Sequence, residues 1–331
     1  MEYRQFGRTG VMVSPLCFGT MTFGWEPDDW GSTKEDSARV FAKAIDVAVN
    51  FFDTANVYAR GTSETILGEL IKGRRDKLFI ATKFHGKMGN DPNDWGNSRR
   101  HIVMQCEESL KRLQTDWIDL YQAHRPQPSI PIDETLRALD DLIRAGKVRY
   151  IGTSTFAAWQ VAEAHYIARE LGTNRFVSEQ PPYNLFDRRI ERELLPFCRT
   201  YNYAVIPWSP LAGGQLSGKY LDDARDGRYS KSDPNNRVSE KTIAATKSLK
   251  SIADDLGISL TALALGWVLN QPGITSAITG ARKVEQFDGL IAATQIKLDE
   301  ETIRKIDEIF PSGDYILPYY EADFGPNALP I

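Results

Sequence analysis

Along this chain short apolar runs alternate with longer stretches in which apolar residues recur every third or fourth position. The runs read as strands buried on both faces and the periodic stretches as amphipathic helices. A small hairpin is expected first, from the segments over 3–6 and 11–14 that flank Gly7-Arg8-Thr9-Gly10. Strands are then expected over 16–19, 51–53, 78–83, 117–123, 148–154, 176–180, 203–208 and 274–278. Helices are expected between them over 35–49, 63–72, 98–113, 132–145, 159–171, 190–201, 239–256 and 260–270, with 284–293 and 300–310 at the end. Parallel neighbours need crossover connections, so strands separated by helices imply a parallel sheet. Eight such units predict one α/β domain over 1–331, a (β/α)8 TIM barrel with an N-terminal β-hairpin and extra C-terminal helices. The hairpin is expected to plug the lower mouth of the barrel. A doubly wound sheet would call for a G-x-G-x-x-G turn after an early strand, and none occurs.

The strand ends carry the chemistry. Phe51-Phe52 runs into Asp53, with Tyr58 five residues later; the run over 78–82 delivers Lys83, and the run over 117–123 delivers His124. Active sites of such barrels lie at the carboxyl ends of the strands, which puts these side chains on neighbouring positions of one rim. A phenol becomes a useful proton donor at neutral pH only if its phenolate is stabilised. An ammonium about 4 Å away, at an effective dielectric near 20, supplies roughly 4 kcal/mol. Lys83 suits that part, and Asp53 would keep a buried Lys83 charged. His124 could donate a hydrogen bond to a substrate oxygen as negative charge develops there. Taken singly, each of these residues is more often a salt bridge or packing; their order and placement favour a proton relay aimed at one oxygen. Such a relay fits carbonyl/alcohol chemistry in which something else supplies two electrons.

Several stretches resemble the aldo-keto reductases. They are Phe52-Asp53-Thr54-Ala55-Asn56-Val57-Tyr58 with Gly61, Ser63, Glu64 and Leu67-Gly68; Ser109-Leu110-Lys111-Arg112-Leu113 leading to Asp116, Asp119-Leu120 and His124-Arg125-Pro126; Gly146 to Ser154; and Trp208-Ser209-Pro210-Leu211. The likeness covers roughly residues 2 to 310 and points to the bacterial branch related to potassium-channel β subunits. It implies NADPH-dependent reduction of a small-molecule carbonyl substrate, with Asp53, Tyr58, Lys83 and His124 catalytic and Tyr58 as the acid. It further implies coenzyme contacts from Gly19, Thr20, Met21 and Asp53. Ser154, Thr155 and Gln180 would meet the nicotinamide carboxamide, and Trp208 would stack on its ring. Ser209, Leu211, Gly213, Gln215 and Lys219 belong to a stretch similar to the family's pyrophosphate loop, whose small residues admit phosphate to backbone N–H groups. Gly280, Arg282 and Gln286 follow the eighth strand, and Arg282 with Lys283 would suit a 2′-phosphate, favouring NADPH over NADH. The polar stretch over 221–238 reads equally as a lid over the coenzyme or as a plain surface loop.

Composition narrows the alternatives. The hydrophobic share of 42% suffices for a core, and a net charge of −4 without an evident basic face argues against a nucleic-acid partner. No apolar run is long enough to span a bilayer and no signal peptide is evident, so a soluble, cytoplasmic protein is expected, with a homo-oligomer left open. Three cysteines, Cys17, Cys106 and Cys198, without metal spacing suggest reduced thiols. The four histidines, His85, His101, His124 and His165, are not paired at ligand spacing, so no metal site is expected. Two other functions remain open: a regulatory coenzyme-binding subunit with little turnover, and a lyase using Lys83 as a Schiff base. Trp25, Trp30, Trp95 and Met88, with Tyr58, His124 and the aromatic tail over 315–324, are the expected pocket walls. Apolar aldehydes and hydroxylated ones such as a small sugar would both suit them.

Overall fold

A computed structural model describes residues 1–25, 31–221 and 237–317. Strands β1 (Arg4–Gln5) and β2 (Met12–Val13) pair antiparallel as the expected hairpin. The following strands are β3 (Leu16–Gly19), β4 (Phe51–Asp53), β5 (Phe79–Phe84), β6 (Ile118–Ala123), β7 (Val148–Ser154), β8 (Ser178–Gln180), β9 (Ala204–Val205) and β10 (Ala277–Thr279). They form one parallel sheet in the order β10-β3-β4-β5-β6-β7-β8-β9. Its two edges meet: Val205 bridges Ile274, and the Ile278 N–H donates to the Pro207 carbonyl at 2.8 Å. The sheet therefore curls into a (β/α)8 barrel.

Around it run α1 (Lys34–Asp46), α2 (Thr62–Leu70), α3 (Arg99–Leu113), α4 (Ile132–Arg144), α5 (Ala158–Leu171), α6 (Leu194–Tyr201), α7 (Glu240–Asp255), α8 (Leu260–Asn270), α9 (Phe287–Ala293) and α10 (Glu300–Ile309). Helix α4 shows how the pattern is used. Leu136, Leu139 and Leu142 face the sheet, Asp133 and Glu134 complement the positive end of the helix, and Ile132 and Ile143 flank the buried stripe half-buried. Helix α8 is apolar all round because it is buried all round. Among the described residues no single helix is long and apolar enough to cross a membrane.

The hairpin closes the amino-terminal end of the barrel. Phe6 is fully buried against Phe51 and Phe79, with ring centroids 5.8 and 5.0 Å away. Gly7 sits at φ +52°, and a Cβ there would stand 2.6 Å from the Ala204 nitrogen, so only glycine fits.

Some boundaries differ from the expected ones for local reasons. The strand expected over 203–208 stops at Val205, because Pro207 has no N–H to give a ladder. The helix expected over 190–201 splits into a 3₁₀ turn at Arg189–Glu191 and α6, whose start at Leu194 keeps Pro196 within the first turn, where proline is tolerated. The last barrel strand lies at Ala277–Thr279 rather than over 274–278. The helix expected over 284–293 begins as a 3₁₀ turn, Val284–Gln286, before α9.

Candidate active site

Strands β4, β5 and β6 are adjacent, and Lys83 pairs in register with Gln122. Side chains alternate along a strand, so residues two apart share a face, and the last inward positions converge at the carboxyl end of the barrel. Lys83 has no exposed surface. Its ammonium donates to the Asp53 carboxylate Oδ1, to the Thr54 carbonyl at 2.8 Å and to the Tyr58 hydroxyl at 3.3 Å. Three donors meet three acceptors. Burial works against the charge, but Asp53, then Tyr58, and the hydrogen bonds to both outweigh it and hold the lysine pKa above its ordinary value.

The other oxygen of Asp53, Oδ2, accepts from Gln180 Nε2 at 2.9 Å and from Gln122 Nε2 at 3.2 Å. One carboxylate is thus bound by one cation and two amides. Tyr58 opens a 3₁₀ turn, Tyr58–Gly61, and lies half-buried with its ring edge-on to His124, centroids 5.8 Å apart. The His124 ring nitrogens hydrogen bond to nothing among the described residues. Burial, then the positive neighbours Arg125, Lys83 and His85, push the His124 pKa well below the usual histidine value, so the imidazole is neutral at neutral pH. The four residues singled out from the sequence therefore lie in one cluster, Asp53 joined to the Tyr58 hydroxyl through Lys83 and His124 packed edge-on against the Tyr58 ring.

The expected coenzyme residues divide. Ser154 gives its hydroxyl to the Gln180 carbonyl at 2.9 Å, and Gln180 commits its amide N–H to Asp53, while its Oε1 makes no hydrogen bond among the described residues. Trp208 is half-buried at the rim. Thr155 has φ +63°, a left-handed conformation that is strained for a β-branched residue, and its hydroxyl accepts from Arg125 at 3.0 Å. Gly19 packs so tightly that a Cβ would stand 2.8 Å from Ile278. Thr20 turns inward to Ser63 at 2.9 Å, leaving Met21 half-buried beside it. The stretch from Ser209 to Gly218 contains five left-handed residues, Ser209, Ala212, Gly213, Gly214 and Gly218, between which Leu211 stays half-buried. Such a backbone can aim successive N–H groups at an anion. Lys219 folds back over Gly214, and Gln215 is buried. After β10, Gln286 Oε1 already accepts from the backbone N–H groups of Arg282 and Lys283, at 2.7 and 3.2 Å. An anion there would meet side chains, since those two amides are taken. Beside them, a Cβ at Gly280 would touch only the Gly19 carbonyl, at 3.5 Å.

Among the expected walls, Trp25 and Trp95 are partly exposed. Trp30, most of the lid stretch and the tail beyond 317 lie outside the described residues. A cleft of about 510 Å³ opens two residues beyond Lys83, lined by His85, Lys87, Asn90, Asp91 and Trp95 among others. Among the described residues no group of three histidine, cysteine, aspartate or glutamate side chains could hold a metal ion.

Three neighbours of the site were not singled out from the sequence. Gln122 stands two residues before His124 on the same strand face, a spacing that could have revealed it. Arg125 follows His124, is held by Thr155, and has its pKa lowered to about 10 by burial. His85 carried no signal beyond its nearness to Lys83.

A profile of the aldo/keto reductase family matches residues 15–310. An uncharacterized oxidoreductase, YrpG, of Bacillus subtilis (strain 168) is 39% identical over 323 residues, covering 94% of this chain and 96% of that protein. A probable voltage-gated potassium channel subunit beta of Oryza sativa subsp. japonica is 39% identical over 326 residues, covering 94% and 97%. A protein of the same description from Arabidopsis thaliana is 38% identical over 326 residues, with the same coverage.

Proposed function

Because the chain belongs to the aldo/keto reductase family, we propose that it is an NADPH-dependent oxidoreductase that reduces aldehydes or ketones to alcohols. The observation that carries this reading is the cluster in which Lys83 links Asp53 to the Tyr58 hydroxyl and His124 packs against the Tyr58 ring. NADPH would supply the hydride. Ser154, Gln180 and Trp208 would hold its nicotinamide end, the left-handed stretch from Ser209 to Gly218 its pyrophosphate, and the Arg282 and Lys283 side chains its 2′-phosphate.

The protein's own residues would handle the proton and the charge. The carbonyl oxygen would accept hydrogen bonds from Tyr58 and from the N–H of neutral His124, and Tyr58 would hand its proton to that oxygen as negative charge grows there. The Lys83 ammonium, 3.3 Å from the hydroxyl, would stabilise the phenolate left behind. Asp53 keeps that ammonium charged, and Gln122 and Gln180 keep Asp53 in place.

The test is oxidation of NADPH with a panel of aldehydes, followed by loss of its near-ultraviolet absorbance. Turnover with several carbonyls is expected, with a Michaelis constant for NADPH at least about tenfold below that for NADH, the worth of one or two phosphate contacts. Equal constants for the two coenzymes would remove the NADPH preference. The likeness to potassium-channel β subunits supports a second reading, a coenzyme-binding regulatory subunit with little turnover. Tight NADPH binding without steady-state oxidation by any aldehyde would favour it.

A further inference from the structure

His85 is held in a backbone conformation that its residue type avoids. Its φ is +104°, outside even the left-handed helical region, so the surroundings must enforce it. They do so from several sides. The His85 carbonyl accepts from the Gly96 N–H at 2.8 Å, and Trp95 meets the imidazole edge-on at 5.9 Å. The next residue, Gly86, lies so close to the turn carrying Tyr58 that a Cβ would come 2.5 Å from Val57. On the other flank, the preceding Phe84 carbonyl accepts from the His124 N–H at 3.2 Å. The residues on either side of His85 thus touch the segments that carry Tyr58 and His124.

Its proton can be assigned by elimination. Asn97 Nδ2 lies 2.9 Å from the Arg125 carbonyl, which can only accept, so the NH₂ group of Asn97 points there. The Asn97 Oδ1 is then the atom 2.9 Å from His85 Nδ1, and Nδ1 must carry the hydrogen. In a neutral ring Nε2 is left as a bare lone pair. Burial lowers the His85 pKa to about 4 despite the bond to Asn97, with Arg125 and His101 pushing the same way, so the ring is neutral at neutral pH. Nε2 hydrogen bonds to nothing among the described residues and is not sealed from solvent, and His85 lines the cleft beside Asn90 and Asp91.

Resting on the carbonyl-reductase reading above, we propose that His85 is a specificity-determining residue. Locked by Asn97 as the Nδ1–H tautomer, it offers its Nε2 lone pair to a hydroxyl of the substrate and so favours hydroxylated aldehydes over their deoxy counterparts. A carbonyl oxygen has no proton to give, so Nε2 selects a second group of the substrate rather than competing with Tyr58 for the first. A site built to pair with a hydroxyl discriminates against the analogue that lacks it, because a substrate filling the cleft takes solvent away from Nε2 and gives it nothing in return.

The test compares glyceraldehyde with propanal, which share a carbon skeleton, in the wild type, His85→Asn and His85→Gln. Asparagine tolerates positive φ and keeps a side-chain amide toward Asn97 but has nothing at the Nε2 position; glutamine places an amide there. Wild type should favour glyceraldehyde. His85→Asn should lose about tenfold in kcat/KM for glyceraldehyde and less than about twofold for propanal, with NADPH affinity unchanged, and His85→Gln should recover part of the loss. Equal losses on both aldehydes, or none, would overturn the proposal. Nitrogen-15 spectra of the ring need no turnover and no variant: a pyrrole-type Nδ1 and a pyridine-type Nε2 are expected, and the reverse assignment overturns the role of His85 alone. Absence of turnover with every aldehyde would instead bring down the reductase reading and this inference together.

Discussion

Asp53 and Glu179 are both buried acids in the wall of one barrel, 2% and 0% exposed, yet they occupy opposite electrostatic settings. Asp53 ends β4 facing inward, where one ammonium and two amide N–H groups bind its two oxygens. Glu179 precedes the inward Gln180 on β8 and so faces the other way. There it accepts from the Phe156 N–H at 3.1 Å, while Oε2 has no hydrogen-bond partner among the described residues. Burial raises its pKa to about 8, against the pull of its hydrogen bonds and of Arg125. Depth is therefore a poor guide to charge in this protein. What decides is whether the neighbours can donate, and around Asp53 they are arranged so that a lysine stays an ammonium beside a phenol.

The comparison can be broken at the phenol itself. Tyr58→Phe keeps the ring and removes the group at which the Asp53–Lys83 chain of charge terminates. It should lower kcat by about 10³-fold with NADPH affinity held within about threefold, the usual worth of a general acid; a kcat within tenfold of wild type, measured under saturating coenzyme, would exclude Tyr58 as the proton donor. Asp53→Asn probes the same chain from the other end. It leaves Lys83 as a buried cation without its counter-charge and should cost about 3 kcal/mol in stability, read from urea unfolding, because an orphaned buried ion is far worse than a paired one. A loss near zero would mean that Asp53 is not what makes the buried ammonium tolerable.

A third effect belongs to Glu179, and its sign follows from the raised pKa. Between pH about 4.5 and about 8 the native state holds a proton that the unfolded chain has already released, so wild-type stability falls as pH rises across that window. Glu179→Gln has no such proton. Its stability relative to wild type should rise with pH and gain about 4 kcal/mol between pH about 4 and about 8.5. A difference that does not change with pH would show that Glu179 titrates normally.

Much of this could be read before any coordinates. Asp53, Lys83 and His124 stand out because each closes an apolar run, and the ends of such runs are where a parallel barrel gathers its chemistry. Gln122 was harder to see, since a polar residue inside a strand reads as an interruption until its register with Lys83 is known. The sequence does not show that the Thr20 hydroxyl lies 2.9 Å from that of Ser63, 43 residues away. Nor could the line of residues say that Gln286 would take the two amides offered by Arg282 and Lys283.

Alternating hydrophobicity by itself determined the barrel, the order of its elements and the rim on which the reactive groups stand, because periodicity is a local property that the chain carries wherever it goes. Proton placement is different. Whether Glu179 is ionised, which nitrogen of His85 bears hydrogen and what faces each oxygen of Asp53 depend on donors and acceptors drawn from distant segments. Only the closed barrel brings those segments within about 3 Å of one another, the range over which a hydrogen bond acts.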